Sequence, residues 1–495
     1  MRFRSNKCGL AFIALCACLM LGSCTRRGLD GPDDVQEPQS WDVSPVVMLH
    51  IGTLNAGRQA SSDDVQEKIR SLRIIMIHET DGSRYIEANR LIDIDPVSDA
   101  HFAYLFQKRT VVGKKSFYLI ANEESVTSVR LKEGSFPEAI YPGESGPETT
   151  GSGPSLTKFL NYFEPEMPSE DGGPSRTAAE FETLLNALCF EPESAYAPVD
   201  KAVYLPYSAY YTGFDIKETD DYEVDYTDRP MYLVPVATKF FFKFINERTG
   251  QPVAVDYLAL ESTNRSNYLM AQLGTEELNK YVPGPNKSYW WIDWLKLVSE
   301  ATQEAETDEG LLTTNGTYGW ISNYKVPGNE GTSENGWKYS DEWTYAFVPD
   351  GPADDPTSDP TRKSTSWMLE KAQESNGGEI TPFVLEEGPF YLPEGRHKVQ
   401  KYDKKEDGTL EANGDPVEEF DLVLKFRPTD IDVNASSSKI LKATTEISNL
   451  RALFRSTSVR ITITLHDGGV NIYAEQADWT PTRFWGYVKD EEEIK

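Results

Sequence analysis

The histidines, cysteines and carboxylates of the sequence do not form a motif that is typical of an enzyme. There is no G-x-S-x-G nucleophile elbow, and Val112–Ser116 lacks the upstream glycine of a phosphate loop. The 79 acidic residues offer too many carboxylate pairs for one to be singled out as a hydrolase site. The five histidines include no pair at the helical spacing of a zinc site and no HExxH signature. They are His50, His78, His101, His397 and His466.

Acidic turns are the remaining places where a metal is conceivable. Residues 220–228 and 350–359 carry the oxygen ligands that calcium prefers, but neither stretch has the spacing of a calcium loop. We therefore expect no catalysis, no cofactor and no metal site.

The N-terminus carries the pattern of an export signal. A basic start over residues 2–7 precedes an apolar run over residues 8–21, which is shorter than the roughly 20 residues that span a membrane as a helix. The segment Leu21-Gly22-Ser23-Cys24 resembles the lipobox of bacterial lipoproteins. This resemblance implies cleavage before Cys24, a lipid on its thiol and attachment to the outer membrane. The alternative is an ordinary secretory signal in which Cys24 has no special role.

Charge and cysteine content restrict the partners and the sources of stability. The formal net charge is −30, and loss of residues 1–23, which hold three basic and no acidic residues, changes it to about −33. Such a chain repels nucleic acid and anionic headgroups, so we expect no nucleic-acid partner and membrane contact through the lipid alone. After the leader and Cys24, only Cys189 remains, which excludes an intramolecular disulfide. Its apolar neighbours predict a buried side chain.

Apolar periodicity predicts a mainly β chain with few helices. A helix is expected after the serine cap Ser175, because Phe181, Leu184, Leu185 and Leu188 recur at helical spacing. The rest of residues 142–177 is rich in Gly, Pro, Ser and Glu and is interpreted as a surface loop. Strands are predicted over residues 46–54, 69–77, 85–86, 115–122, 201–207, 232–245, 253–260, 396–402, 418–426, 459–465 and 470–476.

Many short strands separated by turns favour antiparallel β-sandwiches. We predict a signal peptide over residues 1–23, a flexible tether over 24–44, an N-terminal sandwich domain over 45–230 and a C-terminal one over 231–495. The second domain contains an insert at about 281–360, which holds six of the ten tryptophans. They are Trp290, Trp291, Trp294, Trp320, Trp337 and Trp343.

The clustered tryptophans allow two interpretations. Aromatic side chains form stacking platforms for sugars, and this predicts a surface glycan-binding lipoprotein that uses the insert. Alternatively, a loop-rich insert simply folds around large aromatic residues because it lacks aliphatic core. A secreted hydrolase that uses a carboxylate pair is a third, weaker hypothesis.

Several segments resemble the fimbrillin family of type V pilus subunits (FimA-type and Mfa-type). The resemblance covers most of the chain outside the tryptophan-rich insert, and it depends on the order and spacing of short motifs. Pro235 and Arg455-Ser456 depart from residues that are common in the family. The segments are Ile69–Asn89, Lys115–Glu123, Leu205-Pro206-Tyr207, Val234–Phe244, Tyr391-Leu392-Pro393-Glu394 and Val459–Trp479.

The resemblance implies two transthyretin-like sandwich domains and a structural, adhesive role in a fimbrium. Such subunits are exported as lipoproteins, cut by an arginine-specific protease after the first strand, and joined by strands donated between neighbours. Residues 46–54, with Val47, Leu49 and Ile51, are the natural first strand. Arg58 follows in a polar stretch where proteases gain access, and is the candidate cleavage residue; the alternative is a plain surface arginine.

The resemblance also implies partners and a location. The partners are other fimbrial subunits, the outer membrane through the lipid, and a host or bacterial surface ligand. The location is the outer membrane and the fimbrium on the extracellular face. The predicted donor segment is residues 470–487, and its candidate anchors are Ile472, Ala474, Trp479, Phe484 and Trp485.

Overall fold

Strand-forming residues dominate the chain. The computed structural model describes residues 46–53, 65–80, 83–94, 103–132, 135–141, 153–165, 176–191, 204–217, 223–264, 266–271, 343–348, 367–396, 398–399, 402–405, 410–412, 417–418, 420–429, 441–447, 450, 452–453, 455–467 and 469–478. All of them belong to one compact unit, residues 45–495.

The first part of the chain contains two helices and a seven-stranded sheet in the order β3-β2-β5-β8-β9-β1-β4. Helix α1 spans Leu156–Tyr162 and helix α2 spans Arg176–Ala187, while Val65–Glu67 and Glu123–Ser125 form 3-10 turns. The strands are β1 (Val46–Thr53), β2 (Ser71–Thr80), β3 (Ser83–Asp93), β4 (Ala103–Arg109), β5 (Gly113–Ala121), β6 (Arg130–Leu131), β7 (Leu188–Phe190), β8 (Tyr207–Ile216) and β9 (Glu223–Pro235).

The sheet bends between β8 and β9, where only Tyr207 and Ser208 pair across to Pro235 and Val234. The bend lets β4, β1 and β9 form one layer and β3, β2, β5 and β8 the other. Their inward side chains make one hydrophobic cluster, to which the apolar faces of both helices are added.

The second part of the chain forms two further sheets around a separate hydrophobic cluster. One sheet has the order β17-β10-β26-β27; the other has the order β13-β11-β23-β24, with β14 also paired to β11. The strands are β10 (Thr238–Asn246), β11 (Val253–Thr263), β12 (Asn267–Tyr268), β13 (Trp343–Val348), β14 (Trp367–Leu369), β15 (Gln373–Glu374), β16 (Ile380–Thr381), β17 (Phe383–Leu392), β18 (Gly395–Arg396), β19 (Lys398–Val399), β20 (Tyr402–Lys404), β21 (Leu410–Ala412), β22 (Val417–Glu418), β23 (Phe420–Pro428), β24 (Leu441–Ile447), β25 (Ala452–Leu453), β26 (Thr457–His466) and β27 (Gly469–Asp478).

The mainly β fold class is confirmed. Among the described strands, most neighbours are antiparallel, but β1 with β9 and β10 with β26 are parallel pairs. The division into domains at residue 231 stays a prediction; that residue lies inside β9.

Some predicted elements differ from the structure. The predicted strand over 201–207 is wrong within the described residues: the strand starts at Tyr207, directly after Pro206. The predicted strand over 232–245 is two strands, β9 and β10, separated at residues 236–237. Helix α1 lies inside the predicted surface loop, because Ser155 Oγ accepts from Lys158 N at 3.2 Å and the helix buries Leu156, Phe159 and Leu160.

Candidate functional site

Strand β1 combines strand-forming residues with two buried side chains on one face. Four of its eight residues are β-branched, which favours extended structure. Leu49 and Ile51, two positions apart, are 1% and 0% exposed, as the period of a strand requires. They pack in the first cluster together with Phe106 and Met231. Burying an aliphatic side chain of this size contributes roughly 1.5–3 kcal/mol, so β1 is a substantial part of that core.

Both edges of β1 are occupied. On one side it pairs antiparallel with β4 without interruption, from Val46 opposite Arg109 to Gly52 opposite Ala103. On the other side it pairs parallel with β9, and the register shifts between Leu49 and Ile51, whose partners are Tyr226 and Met231. Strand β9 therefore advances five residues where β1 advances two. The ladder on this side is broken in the middle.

The position of β1 defines what its loss would do. Without it, β4 and β9 would face each other across an empty slot with unpaired backbone groups on both sides. The slot floor would expose the apolar surface that Leu49 and Ile51 cover. A strand from another source restores both the ladder and the burial.

The chain that follows β1 is anchored from Gln66 onward. The side chain of Glu67 is buried and accepts from Lys239 Nζ and from Tyr391 Oη at 2.7 Å. Its carbonyl accepts from Tyr207 Oη at 2.8 Å, and the carbonyl of Gln66 accepts from Leu205 N at 2.8 Å. Lys239 and Tyr391 lie in β10 and β17, so Glu67 joins the two parts of the chain.

Asn122 extends this anchor. Its backbone adopts a left-handed conformation with φ of 56°, which asparagine tolerates better than most residues. Its Oδ1 accepts from Arg70 N at 2.8 Å, and its Nδ2 donates to the carbonyls of Lys68 at 2.9 Å and Leu205 at 2.7 Å. Residues 66–70 are thereby fixed independently of β1.

A second buried ion pair, between Arg455 and Glu394, also contacts the first part of the chain, because Arg455 Nη1 donates to Ser208 Oγ of β8 at 3.3 Å. Arg455 and Glu394 are each 1% exposed, and Arg455 Nη2 lies 2.7 Å from Glu394 Oε2. The same guanidinium donates to the carbonyls of Tyr268 at 2.7 Å and Leu269 at 3.0 Å. Removing one partner of such a pair costs about 3–5 kcal/mol.

The roles of Glu67, Lys239 and Arg455 were not foreseen from the sequence. Tyr391 and Glu394 belong to the segment that resembles the fimbrillin family, and that segment was the available signal. No local sequence pattern indicates that Glu67 contacts Lys239 and Tyr391, which lie 172 and 324 positions away.

The structure describes only part of the predicted site. Cys24, Arg58, five of the six insert tryptophans, Trp479, Phe484 and Trp485 lie outside the described residues. Val47 lies in β1, and Trp343 begins β13 opposite Thr263. Leu49 and Ile51 are buried in β1, and their role in a displaced first strand stays a prediction.

The described part of the predicted donor segment is strand β27. It pairs antiparallel with β26 from Thr457 opposite Asp478 to His466 opposite Gly469. Ala474 is buried in the second cluster and Ile472 packs against it. This part of the segment is therefore integrated in its own sheet.

Cys189 is buried in β7, as predicted. Burial raises the pKa of its thiol to about 12, which the nearby charges of Arg130 and Lys132 oppose only in part. The thiol is therefore protonated and unreactive in the folded chain.

The described residues offer neither a metal centre nor a membrane-spanning helix. Within them, no three His, Cys, Asp or Glu side chains are grouped so that they could hold a metal ion. In the same part of the chain, no helix has the length and apolar character needed to cross a membrane.

No protein-family model matches the sequence, and a comparison with curated proteins found no significant match. Among solved structures, the chain is similar to the tip fimbrial protein Mfa3 from Porphyromonas gingivalis with a C-terminal truncation, at 10% identity and a TM-score of 0.39, over 88% of this chain and 100% of that chain. It is also similar to a fimbrial assembly protein from Parabacteroides distasonis, at 10% identity and a TM-score of 0.32, over 87% and 95% of the two chains. A fimbrial protein from Bacteroides vulgatus follows at 9% identity and a TM-score of 0.30, over 87% and 99%.

All three structures are fimbrial proteins, the class that the sequence segments resemble.

Proposed function

We propose that this protein is a structural and adhesive subunit of a cell-surface fimbrium, joined to its neighbours by strand exchange in the slot of β1. The observation that carries the proposal is the position of β1. It is a short first strand, paired on both edges and buried on one face. Its replacement by a strand of a second subunit conserves the fold and links the two chains.

The proposed trigger is a cut after Arg58. This residue lies between the end of β1 at Thr53 and the anchored segment that begins at Gln66. A cut there separates β1 covalently from the rest of the chain, while Glu67 remains bound to Lys239 and Tyr391. The first sandwich thus retains a fixed new end when the strand leaves.

The proposed export route is that of a lipoprotein with its lipid on Cys24. Before the cut, the lipid holds the subunit to the outer membrane. After the cut, residues 24–58 leave with the lipid, and the subunit is held by its neighbours. A subunit that escapes the cut stays attached and serves as an anchor.

The proposed donor is the chain after Asp478. Strand β27 is paired with β26 along its whole length, and withdrawing it costs that ladder and the burial of Ala474. The segment with Trp479, Phe484 and Trp485 follows this strand and supplies large apolar anchors.

The test uses the purified precursor and an arginine-specific protease. We expect a new N-terminus at Gln59 and a ladder of polymers on unboiled gels. The Arg58→Ala variant should remain uncut at this position and monomeric.

Arg26 and Arg27 provide the matched control. A cut at either residue removes the lipid but keeps β1, so the double variant Arg26→Ala/Arg27→Ala should polymerise as the wild type does. Polymerisation of Arg58→Ala at the wild-type rate would overturn the proposal. An uncut monomer that binds polysaccharide would support the glycan-binding alternative instead.

A further inference from the structure

A group of buried polar side chains lies across strands β2, β3 and β5. Lys115 Nζ, on β5, contacts both Glu87 Oε2 on β3 and His78 Nδ1 on β2. The side chain of Lys115 is 0% exposed, that of His78 3% and that of Glu87 12%. Since β2 separates β3 from β5 in the sheet, Lys115 and Glu87 meet across an intervening strand.

The other carboxylate oxygen of Glu87 is held by two donors. Thr110 Oγ1 donates to Glu87 Oε1 at 2.6 Å, and Val111 N donates to the same oxygen at 3.2 Å. Two donors aimed at one oxygen are the arrangement that stabilises negative charge during attack on a carbonyl carbon.

His78 is placed to move a proton between the two reacting groups. Its Nδ1 contacts Lys115 Nζ and lies 3.7 Å from Glu87 Oε2. Burial, with a smaller effect from Lys115, lowers the pKa of His78 to about 4, so the imidazole is neutral at neutral pH and can accept a proton. Burial also lowers the pKa of Lys115, which favours the neutral amine, the nucleophilic form.

Gly113 permits the close approach of the imidazole. Its φ is +134°, and a Cβ at this position would lie 2.7 Å from His78 Cε1. Any other residue would displace the ring from Lys115.

We propose that Lys115 and Glu87 condense to form an isopeptide bond that joins β5 to β3. One proton passes from the Lys115 ammonium to Glu87 Oε2, and the neutral Nζ attacks Cδ. Thr110 and Val111 hold the charge that develops on Oε1. His78 takes a second proton from Nζ and delivers it to Oε2, which leaves as water. An ammonium and a carboxylate thus give one amide and one water, without an oxidant or a further reactant.

A second buried lysine–glutamate pair serves as an internal control. Lys239 contacts Glu67, and both side chains are less than a tenth exposed. The Tyr391 hydroxyl shares Glu67 Oε1 with the lysine, and a neutral phenol, unlike an imidazole, has no basic nitrogen that could take a proton from Nζ. We expect Lys239 and Glu67 to remain an ion pair. That result would show that burial of a lysine–glutamate pair is not sufficient for condensation.

The link does not depend on strand exchange. It closes the chain between residues 87 and 115 and holds β3, β2 and β5 together under a pulling force. A surface adhesive protein gains resistance to mechanical unfolding from such a bond.

The test is the intact mass of the denatured full-length protein. We expect a mass lower by one water than the sequence requires, and a branched peptide that joins Glu87 to Lys115 after digestion. The Glu87→Gln variant should form the same link with loss of ammonia instead of water. A wild-type protein at its full sequence mass, or a loss of water that maps to another pair, would overturn the inference.

Variants separate the reacting groups from the positioning residue. Lys115→Met and Glu87→Ala should keep their full sequence mass, whereas Lys239→Met should still lose one water. His78→Phe retains both reacting groups, and its link should form about 100-fold more slowly after refolding. An unchanged rate of link formation in His78→Phe would show that the histidine takes no part in the proton transfer. Where a variant fails to fold, the intact mass of the wild-type protein alone tests whether the bond forms.

Discussion

Strands β1 and β10 hold equivalent positions in the two sandwiches, but they are held in different ways. Each lies between an antiparallel and a parallel neighbour, β4 and β9 for β1, and β17 and β26 for β10. The parallel ladder of β10 is continuous from Thr238 to Asn246, whereas that of β1 is broken after Leu49. The antiparallel ladder of β10 shifts by one residue, between Phe240 and Phe242.

The connections differ as well. Strand β10 follows β9 after two residues, and its Lys239 is bound to Glu67. Strand β1 is joined to the rest by residues 54–64, which contain Arg58. In the second sandwich, the strand between an antiparallel and a parallel neighbour is therefore β10, which is bound to Glu67. In the first sandwich it is β1, which a single cut separates from the rest of the chain. This contrast is what the strand-exchange proposal requires.

The largest effect is expected in β10. Phe242 is fully buried, and its ring centroid lies 4.5 Å from that of Phe347. Phe242→Ala should lower the free energy of unfolding by about 3–5 kcal/mol, because it leaves a cavity among packed rings. Urea unfolding should show this loss equally in the precursor and in the assembled protein, since β10 is retained in both.

Ile51 in β1 provides the contrasting substitution. Ile51→Ala should lower the free energy of unfolding of the uncut precursor by about 2–5 kcal/mol. After cleavage and polymerisation, the variant and the wild type should unfold identically, because the substituted strand is no longer present. A persistent difference in the polymer would mean that β1 stays in its slot.

A lower pH should destabilise the first sandwich, because His78 is neutral in the folded chain. Its pKa of about 4 in the folded chain compares with about 6.5 in the unfolded chain. Between these values the unfolded chain binds a proton that the folded chain does not, so the free energy of unfolding rises as the pH increases from about 4 to about 6.5. The whole change amounts to about 3 kcal/mol.

His78→Gln should lose this part of the pH dependence. The measurement is urea unfolding of variant and wild type in the same buffers across that range. Identical slopes in the two proteins would show that the pKa of His78 is the same in the folded and the unfolded chain.

Local patterns predict much of the fold, and long-range pairing explains what they miss. Strand β1, the hairpin of β2 and β3, and the hairpin of β26 and β27 follow from apolar alternation and nearby turns. The parallel partner of β1 begins at Glu223, and no local pattern connects residues so far apart. Strand β17 escapes prediction because Gly388 and Pro389 interrupt its alternation.

In the candidate site too, local patterns predict some residues, while long-range contacts determine the others. Leu49 and Ile51 are predictable as buried, because their spacing fits one face of a strand. The anchor at Glu67 is not, because a glutamate in a polar stretch is ordinarily solvated and its partners come from β10 and β17. The resemblance to the fimbrillin family implies a removable first strand, which stays a proposal for β1.

The smallest expected effect is a brief opening of the first sandwich. The alkylation rate of the Cys189 thiol measures this opening. The thiol is 2% exposed and its pKa is raised to about 12 by burial, so alkylation of the precursor at pH 8 should be very slow. The polymer should be equally protected, because a donated strand restores the core.

Between these states, protein cut after Arg58 but kept too dilute to polymerise should react faster, since an empty slot weakens the cluster that surrounds β7. The rate is followed by mass spectrometry with a small alkylating reagent, and the Arg58→Ala variant is the control. Equal rates in all three states would mean that the cut alone does not open the first sandwich, and that β1 stays in its slot when no donor is present.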